Sequence, residues 1–373
     1  MTWAQPASIA VYVHWPFCAK KCPYCDFAVT VRREIDEAAT IKALKRDLDR
    51  HAKLYPRPPG VHSIYFGGGT PSLMQPASVA ALIDHIDRLF GCLTGCEITL
   101  EANPTDTETN KLKAFRSTGV NRLSLGIQSL DDTELLVLGR NHNAQQARDA
   151  LDSAAMHFDN FSMDLMYALP RQKTHKWTER VHSMLAWHPT HVSLYQLTIE
   201  PGTVFDKALQ RGVLTSFDND KAADLYEQTA STLEELGYPA YEVSNHARVG
   251  FESRHNLSYW RYEDYVGVGP GAHGRVTIDG RKHATENPRL LSDWEQHERV
   301  VAKPLTAKDA DEEAFLMSMR TREGAIVGGH LVLNQDRLAF LKKQKMLEPI
   351  ANSFRPTREG WLRLDTITGM LLT

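Results

Sequence analysis

Residues 9–27 decide the fold, and they read Ile9-Ala10-Val11-Tyr12-Val13-His14-Trp15-Pro16-Phe17-Cys18-Ala19-Lys20-Lys21-Cys22-Pro23-Tyr24-Cys25-Asp26-Phe27. An apolar, β-branched run leads directly into a loop that carries three cysteines. A strand followed at its carboxyl end by reactive side chains is typical of α/β proteins, in which ligands bind at those strand ends. The loop therefore predicts both an α/β fold and the position of its site.

The cysteines Cys18, Cys22 and Cys25 follow a C-x3-C-x2-C spacing. A [4Fe–4S] cluster normally takes four cysteine ligands, so three would leave one iron open to a small molecule. The amino and carboxylate groups of S-adenosylmethionine can occupy such a position. An electron from the cluster can then split the sulfonium to give a 5′-deoxyadenosyl radical. The spacing therefore predicts a cluster with S-adenosylmethionine.

Two other interpretations of the cysteines fit the sequence less well. A disulfide framework is disfavoured, because the chain has an odd count of five cysteines and no recognisable secretory leader in Met1–Ser8. A structural zinc site is the stronger rival, but zinc usually takes four ligands. The remaining thiols, Cys92 and Cys96, precede an apolar strand and are interpreted as ordinary buried or half-buried residues.

Composition fits a large protein outside the membrane. The chain has 373 residues, of which 42% are hydrophobic, so it can bury a substantial core and is expected to form two domains. A net charge of −3 argues against a nucleic-acid partner. No window approaches the roughly 20 apolar residues that span a bilayer. We expect a cytoplasmic protein with at most peripheral membrane contact.

Strand and helix signals alternate over the first two thirds of the chain. Six βα units and right-handed crossovers predict a parallel sheet that forms a partial (β/α)6 barrel. The predicted strands are Ile9-Val13, Ser63-Phe66, Glu97-Leu100, Arg122-Ile127, Phe161-Met166 and His191-Leu197.

Polar or glycine-rich motifs follow these strands. Gly67-Gly68-Gly69-Thr70-Pro71 follows the second strand, and it lacks the Lys-Ser/Thr pair of a phosphate-binding loop. Glu101 ends the third strand and Gln128 the fourth; Arg140 comes about a dozen residues later, and Asp164 lies on the fifth strand. Singly, each polar residue fits a cap or a surface charge. Together they suit a zwitterionic, ribose-bearing cofactor, because carboxylates bind hydroxyl or ammonium groups and arginine binds carboxylate.

The combined motifs resemble the HemW family of the radical S-adenosylmethionine superfamily. HemW proteins are heme chaperones related to the oxygen-independent coproporphyrinogen III dehydrogenases of porphyrin biosynthesis. The resemblance covers nearly the whole chain. It is carried by the cysteine loop, Gly-Gly-Gly-Thr-Pro, Glu-x-Asn-Pro, Gly-Ile-Gln-Ser, Asp-Leu-Met-Tyr-x-Leu-Pro and His255-Asn256-Leu257-Ser258-Tyr259-Trp260.

The resemblance also implies roles for individual residues. The three cysteines would bind the cluster, with Tyr12 and Tyr24 close to the cofactor. The methionine end of S-adenosylmethionine would lie against Gly68, Gly69 and Thr70. Its charged groups would meet Glu101 and Arg140, and its ribose would be held by Gln128 and Asp164.

Within this superfamily, two features favour a chaperone over a dehydrogenase. Position 27 is Phe, where the related dehydrogenases carry a further cysteine. Those enzymes also have a long segment ahead of their cysteines, for which Cys18 leaves no room in this sequence. Radical chemistry is implied by the cofactors, but coproporphyrinogen dehydrogenase activity is not expected, so the status of the protein as an enzyme stays open.

His255 is the candidate heme ligand. A neutral imidazole is a common axial ligand of heme iron, and Tyr259 and Trp260 could pack on a porphyrin. His14 and His273 are weaker candidates.

From about Pro304 onward, strand and helix patterns no longer alternate. We expect residues 1–300 to form the barrel, with an extension that carries the His-Asn-x-x-Tyr-Trp motif, and 301–373 to form a winged-helix-like domain. Helices are predicted at Ala307-Met319 and Gln335-Gln344. A hairpin of Ile350-Phe354 and Trp361-Leu364 is predicted around Thr357-Gly360.

Three functions therefore remain open. The first is a heme chaperone that uses its cluster and S-adenosylmethionine to deliver heme to an acceptor hemoprotein, which would be a respiratory one. The second is oxidative decarboxylation of coproporphyrinogen III. The third is a structural cluster or zinc protein without radical chemistry. The sequence leaves the acceptor and homodimer formation undetermined.

Overall fold

A computed structural model of the chain describes residues 6–55, 57–107, 109–351 and 353–372. The leader prediction for Met1–Ser8 falls largely on residues outside these ranges. The strands are β1 (Ser8–Trp15), β2 (Phe17–Cys18), β3 (Thr30–Val31), β4 (Gly60–Gly68), β5 (Cys92–Ala102), β6 (Arg122–Gln128), β7 (Phe161–Tyr167), β8 (His191–Gln196), β9 (Asn245–Ala247), β10 (Tyr265–Val268), β11 (His273–Ile278), β12 (Arg281–Glu286), β13 (Ala302–Pro304), β14 (Leu347–Ile350) and β15 (Ser353–Pro356).

Helices cover most of the connections. They are α1 (Glu37–Ala52), α2 (Pro76–Phe90), α3 (Thr109–Ser117), α4 (Asp132–Val137), α5 (Ala144–His157), α6 (Thr174–Met184), α7 (Val204–Gln210), α8 (Asn219–Glu235), α9 (Arg254–Trp260), α10 (Leu291–Gln296), α11 (Ala307–Ser318), α12 (Gln335–Lys343), α13 (Arg358–Trp361) and α14 (Leu364–Leu372), with short 3₁₀ turns at Pro71–Leu73, Pro104–Asp106 and Leu185–Trp187. No helix in the described ranges is long and apolar enough to cross a membrane.

An eleven-stranded sheet organises the molecule in the order β13-β12-β11-β10-β1-β4-β5-β6-β7-β8-β9. The run from β1 through β4, β5, β6 and β7 to β8 is parallel, and β10 joins it in parallel on the other side of β1. All six predicted strands are therefore confirmed, together with the α/β fold. Their parallel pairing brings the carboxyl ends of the six strands to one edge of the sheet.

The helices follow from their apolar faces and caps. In α1, the Asp36 side chain accepts a hydrogen bond from the Ala39 amide, while Ile41, Leu44 and Leu48 are buried. Side chains at i, i+3 and i+7 share one helix face. Burying each of these aliphatic groups contributes roughly 1.5–3 kcal/mol. This packing fixes α1 against the sheet beside β10.

Gly68 and Gly69, at the end of β4 and directly after it, pack closely against β1 and the start of the cysteine loop. Gly68 has φ of +103°, and a Cβ there would lie 2.6 Å from the His14 ring. A Cβ on Gly69 would lie 2.4 Å from the Phe17 carbonyl oxygen. Only glycine fits these positions without displacement. The glycines thus let two consecutive strand ends approach each other at the site.

The C-terminal stretch matches the predicted helices but not the predicted hairpin. The helices α11 and α12 lie where they were expected, within one residue at each end. The hairpin is formed by β14 and β15. The expected first strand, Ile350-Phe354, was wrong because it runs from the end of β14 into β15, and the expected second strand, Trp361-Leu364, was wrong because this stretch belongs to the helical end of the chain. The proposed boundary at residue 300 stays a prediction; β13 still pairs with β12 of the large sheet.

Candidate functional site

A cavity of about 360 Å³ opens at the carboxyl edge of the parallel sheet. It is lined by the cysteine loop and by the residues that end β4 to β8. The lining residues are Cys18, Ala19, Lys20, Lys21, Cys22, Tyr24, Cys25, Phe27, Val29, Tyr65, Gly68, Gly69, Thr70, Pro71, Glu101, Ala102, Asn103, Ser124, Gly126, Gln128, Gly139, Arg140, Asn141, Asp164, Met166 and Tyr195.

The cysteine loop is closed by pairing between its two ends. Cys18 lies in β2, which pairs in parallel with β3, so the chain returns beside itself after the third cysteine. The Cys25 amide donates to the Cys22 carbonyl at 3.1 Å and forms a tight turn. All three thiols are free and line the same cavity. The loop therefore places three thiols on the wall of one cavity, and their ligation of a cluster stays a prediction.

Arg140 joins the cysteine loop to the strand ends. Its Nη1 donates to the Cys22 sulfur at 3.5 Å, and its Nη2 donates to Asn103 Oδ1 and to the Gly126 carbonyl, both at 2.8 Å. Its Nε is buried without a hydrogen-bond partner. This cation favours an anionic ligand in the cavity. Burial of the thiols acts in the opposite direction on sulfur and raises the pKa of Cys18 to about 11.

Glu101 is the acidic group at the centre of the cavity. Its Oε1 accepts a hydrogen bond from the Tyr65 hydroxyl at 2.9 Å, and the Gly68 amide also donates to the carboxylate. Burial nevertheless raises the pKa of Glu101 to about 7, because removing a carboxylate from water disfavours its charged form. Such a group accepts an ammonium ion readily, since the cation restores the lost stabilisation.

Asp164 lies on the neighbouring side of the cavity within a group of serines. Its two carboxylate oxygens accept hydrogen bonds from Ser124 at 2.7 Å and Ser162 at 2.8 Å. Burial raises the pKa of Asp164, while the serine hydroxyls oppose that shift. The carboxylate is thereby held in one orientation with its remaining lone pairs available to hydroxyl groups in the cavity.

Gln128 adopts an unusual backbone conformation at the end of β6. Its φ is +65°, in the left-handed region that non-glycine residues seldom occupy. Its side-chain Oε1 is buried without a hydrogen-bond partner. Strained backbone and an orphaned acceptor are typical of positions where a ligand supplies the missing contact.

The structure brings most of the predicted site residues together. In addition to the cysteines, the cavity is lined by Tyr24, Gly68, Gly69, Thr70, Glu101, Gln128, Arg140 and Asp164. Tyr12 is not among the lining residues. Its ring lies one layer deeper, 6.2 Å between centroids from Tyr65, and its hydroxyl lies 3.1 Å from His14 Nδ1.

His255 lies in the core beneath the cavity and does not line it. The residue is 1% exposed; its Nδ1 is 3.1 Å from the Ser63 hydroxyl and its Nε2 is 2.8 Å from the Tyr259 hydroxyl. Burial lowers the pKa of His255 to about 3, so the ring is neutral. Heme ligation by His255 stays a prediction, and it would require one of these two hydrogen bonds to break.

Several cavity residues were missed by reasoning from the sequence. Asn103 orients Arg140 and also donates to Asn141 at 2.9 Å, whereas Tyr65 holds Glu101. Tyr65 lies near the end of β4 and Asn103 directly follows β5, so their position relative to the strand ends was a usable signal. Tyr195 shares that signal at the end of β8.

The donor set fits an iron–sulfur cluster with a bound sulfonium nucleoside. Three thiols line one cavity, the Arg140 guanidinium donates to one of them, and no fourth cysteine is among the residues that line the described cavity. The orphaned Gln128 Oε1 and Arg140 Nε leave polar atoms for a cofactor to satisfy. Cys92 and Cys96 are outside the cavity, half-buried and buried respectively, in agreement with their predicted structural role.

Comparison with known proteins agrees with this geometry. A family model described as "Radical SAM superfamily" matches residues 12–182. Heme chaperone HemW of Haemophilus influenzae is 34% identical over 98% of this chain and 98% of its own length. Radical S-adenosyl methionine domain-containing protein 1, mitochondrial, of Mus musculus is 42% identical over 98% of this chain and 86% of its own length.

A solved structure shows the same fold. Coproporphyrinogen III oxidase (HemN) from Escherichia coli, described as a radical SAM enzyme, aligns with a TM-score of 0.79 at 21% identity, over 99% of this chain and 90% of its own. An α/β sheet with three cysteines on the loop after its first strand is the arrangement of a radical S-adenosylmethionine protein. Within that superfamily, the chain belongs to the HemW family.

Proposed function

We propose that this protein is a heme chaperone, which binds a three-cysteine [4Fe–4S] cluster, S-adenosylmethionine and heme, and transfers the heme to an acceptor hemoprotein. The observation that carries the cofactor part is the meeting of Cys18, Cys22 and Cys25 at a cavity whose other walls offer a buried guanidinium and two buried carboxyl groups. The heme part is supported by the relatives named heme chaperone HemW.

Different side chains of the cavity would bind different parts of the cofactors. The three thiolates would hold the cluster, which when bound supplies one electron and an open iron position. Glu101 and Arg140 have the charges to bind the ammonium and carboxylate ends of a methionine group. Asp164 is oriented by hydrogen bonds from Ser124 and Ser162, and its carboxylate could accept hydrogen bonds from ribose hydroxyls. The Gln128 side-chain amide could bind the same ribose.

Phe27 favours the chaperone over the dehydrogenase. The side chain lines the cavity mouth and is 58% exposed. An exposed aromatic ring at this position provides apolar surface where the related dehydrogenases carry a cysteine. It suits contact with a planar apolar ligand at the mouth.

We further infer that the acceptor is a respiratory hemoprotein and that delivery takes place from the cytoplasm with peripheral membrane contact. The chain has no large positive charge that would favour a nucleic-acid partner. We also propose that the protein can form a homodimer. Size-exclusion chromatography with light scattering, before and after heme addition, would establish the oligomeric state.

Reconstitution under anaerobic conditions tests the cofactor assignment. We expect about four iron and four sulfide per wild-type chain, and complete loss of the cluster absorbance in Cys22→Ala, because two thiolates cannot retain the cube. Cys92→Ala is the matched control and should keep the wild-type spectrum. An intact four-iron spectrum in Cys22→Ala, or zinc in place of iron in the wild type, would overturn the assignment.

A second assay separates the chaperone from the dehydrogenase. The reconstituted protein is incubated with coproporphyrinogen III, S-adenosylmethionine and a one-electron reductant. We expect no protoporphyrinogen, together with tight binding of added heme and its transfer to an apo-hemoprotein. Formation of protoporphyrinogen would favour the enzyme instead.

A further inference from the structure

A heme ligand must present an accessible ring nitrogen, and three interior histidines do not. The nitrogens of His255 lie against Ser63 and Tyr259, and those of His14 against Tyr12 and the Ala28 carbonyl. His191 is 0% exposed, with Ser162 and Tyr241 at 2.8 and 2.9 Å. Iron would have to displace a buried hydrogen bond at each of them, and a buried polar group left without its partner is costly.

His273 has the opposite environment. It begins β11 immediately after the turn Gly269–Ala272, and 57% of its side chain is exposed. Glu286 is the cross-strand partner of His273 on β12. Its Oε1 lies 3.9 Å from His273 Nε2. At this distance the contact is longer than a hydrogen bond and exposed to solvent, so it holds the ring only weakly.

The turn that carries His273 lies against the cysteine loop. Val268 of β10 is in register with Val13 of β1, so the turn comes level with the start of the loop. A Cβ on Gly271 would lie 2.9 Å from Ala28 Cβ and 3.4 Å from Arg289 Cγ. His273 is thus at the same edge of the sheet as the cofactor cavity.

The surrounding surface is apolar and cationic. Phe27 is 58% exposed and Leu290 is 66% exposed. Arg289, next to Leu290, donates to the Asp26 carbonyl at 3.0 Å, and Lys21 donates to the Phe27 carbonyl at 3.5 Å. Large exposed apolar side chains beside cations suit a flat apolar molecule that carries carboxylates along one edge.

We propose that His273 is the axial ligand of heme and that heme binds on this surface, which we call the mouth face (Lys21, Phe27, His273, Arg289 and Leu290). This assignment rests on the proposed function. The imidazole lone pair forms the Fe–N bond and displaces a water molecule from ferric iron, while Phe27 and Leu290 contact the macrocycle. Arg289 and Lys21 pair with the propionates.

Hemin titration of the full-length protein tests the ligand. In His273→Ala, the Soret band should shift and the dissociation constant should rise at least tenfold, and added imidazole should restore the wild-type band position. The exposed His175→Ala on α6 is the control and should keep the wild-type spectrum. His255→Ala is titrated beside it because His255 is the rival ligand. An unchanged Soret band in His273→Ala, while His255→Ala loses it, overturns the His273 assignment but leaves the chaperone function standing.

A second titration tests the mouth face with the same protein. Arg289→Leu should weaken hemin binding several-fold and have little effect on hemin dimethyl ester, which lacks the carboxylates. Equal weakening toward both ligands would contradict propionate pairing by Arg289. Failure of the wild-type protein to bind hemin would overturn the chaperone function and this site together.

Discussion

Glu101 shows how one buried carboxyl group makes the stability of the cofactor-free protein depend on pH. Its pKa is raised from the ordinary 4.5 to about 7 because burial removes water from the charged form. The native state therefore keeps a proton between pH 4.5 and 7 that the unfolded chain releases. Stability from this group is complete below pH 4.5 and falls as the pH rises toward 7.

Glu101→Gln removes this titration and should stabilise the cofactor-free protein at pH 8 but not at pH 5. The difference in pKa from 4.5 to about 7 sets an upper limit of roughly 3.5 kcal/mol, because each unit corresponds to about 1.4 kcal/mol. Urea unfolding of both proteins at both pH values measures it. Glu295→Gln on the surface of α10 is the control and should show no change with pH. An equal gap between Glu101→Gln and wild type at pH 5 and 8 would contradict the explanation.

Helix α1 is tied through a single carboxylate to the turn that precedes His273 and to two later residues. Oδ2 of the fully buried Asp47 accepts hydrogen bonds from the Gly269 amide at 2.9 Å, Asn287 at 2.7 Å and Trp294 at 2.8 Å. These donors come from segments more than 200 residues away in sequence. The carboxylate thus holds the turn before His273 in position.

Asp47→Ala should lower the free energy of unfolding by about 3–5 kcal/mol, because three buried donors would lose their acceptor. Denaturant titration with the linear extrapolation measures the change. Asp49→Ala is a matched control on the same helix: its side chain is 47% exposed and bonds only to His85 among the contacts described, so the loss should be below about 1 kcal/mol. Similar losses for the two variants would show that the buried network is unimportant.

At the C-terminal hairpin, the local sequence pattern predicts the wrong secondary structure for residues 357–360. Thr357-Arg358-Glu359-Gly360 reads as a turn, but the Thr357 hydroxyl accepts from the Gly360 amide and caps α13. Gly360 is needed for close packing, since a Cβ there would lie 2.1 Å from the Met346 carbonyl oxygen. The role of that glycine is set by a neighbour that the local sequence does not contain.

The C-terminal segment is joined to the rest of the molecule by apolar packing and by charges. Trp361 is 7% exposed, belongs to the same hydrophobic cluster as the sheet residues, and donates to the Met319 carbonyl at 3.2 Å. Arg358 and Arg322 both pair with Glu234 of α8. A continuous core predicts that both parts unfold together.

Trp361→Ala should destabilise the whole protein by about 3–5 kcal/mol in one cooperative transition. Calorimetry, with tryptophan fluorescence as a second probe, checks this. Glu234→Gln should cost less than about 1 kcal/mol, since its ion pairs are half-exposed and screened by salt. Separate melting of residues 301–373 in Trp361→Ala would support the two-domain division instead.

The sequence by itself determined the six parallel strands, the three-cysteine loop and the polar residues at the strand ends. These features depend on local periodicity and spacing, and parallel pairing brings all strand ends to one edge. The sequence therefore predicted that Cys18, Glu101, Arg140 and Asp164 lie close together.

Only the tertiary structure decided which face each of the remaining residues occupies. His255 docks against Ser63, 192 positions away, and its partner Tyr259 completes the burial. Tyr12 likewise lies beneath the cavity, while His273 is exposed at its edge. A motif specifies residue types, but the accessibility of a ring nitrogen depends on long-range packing, because burial is a property of the assembled core.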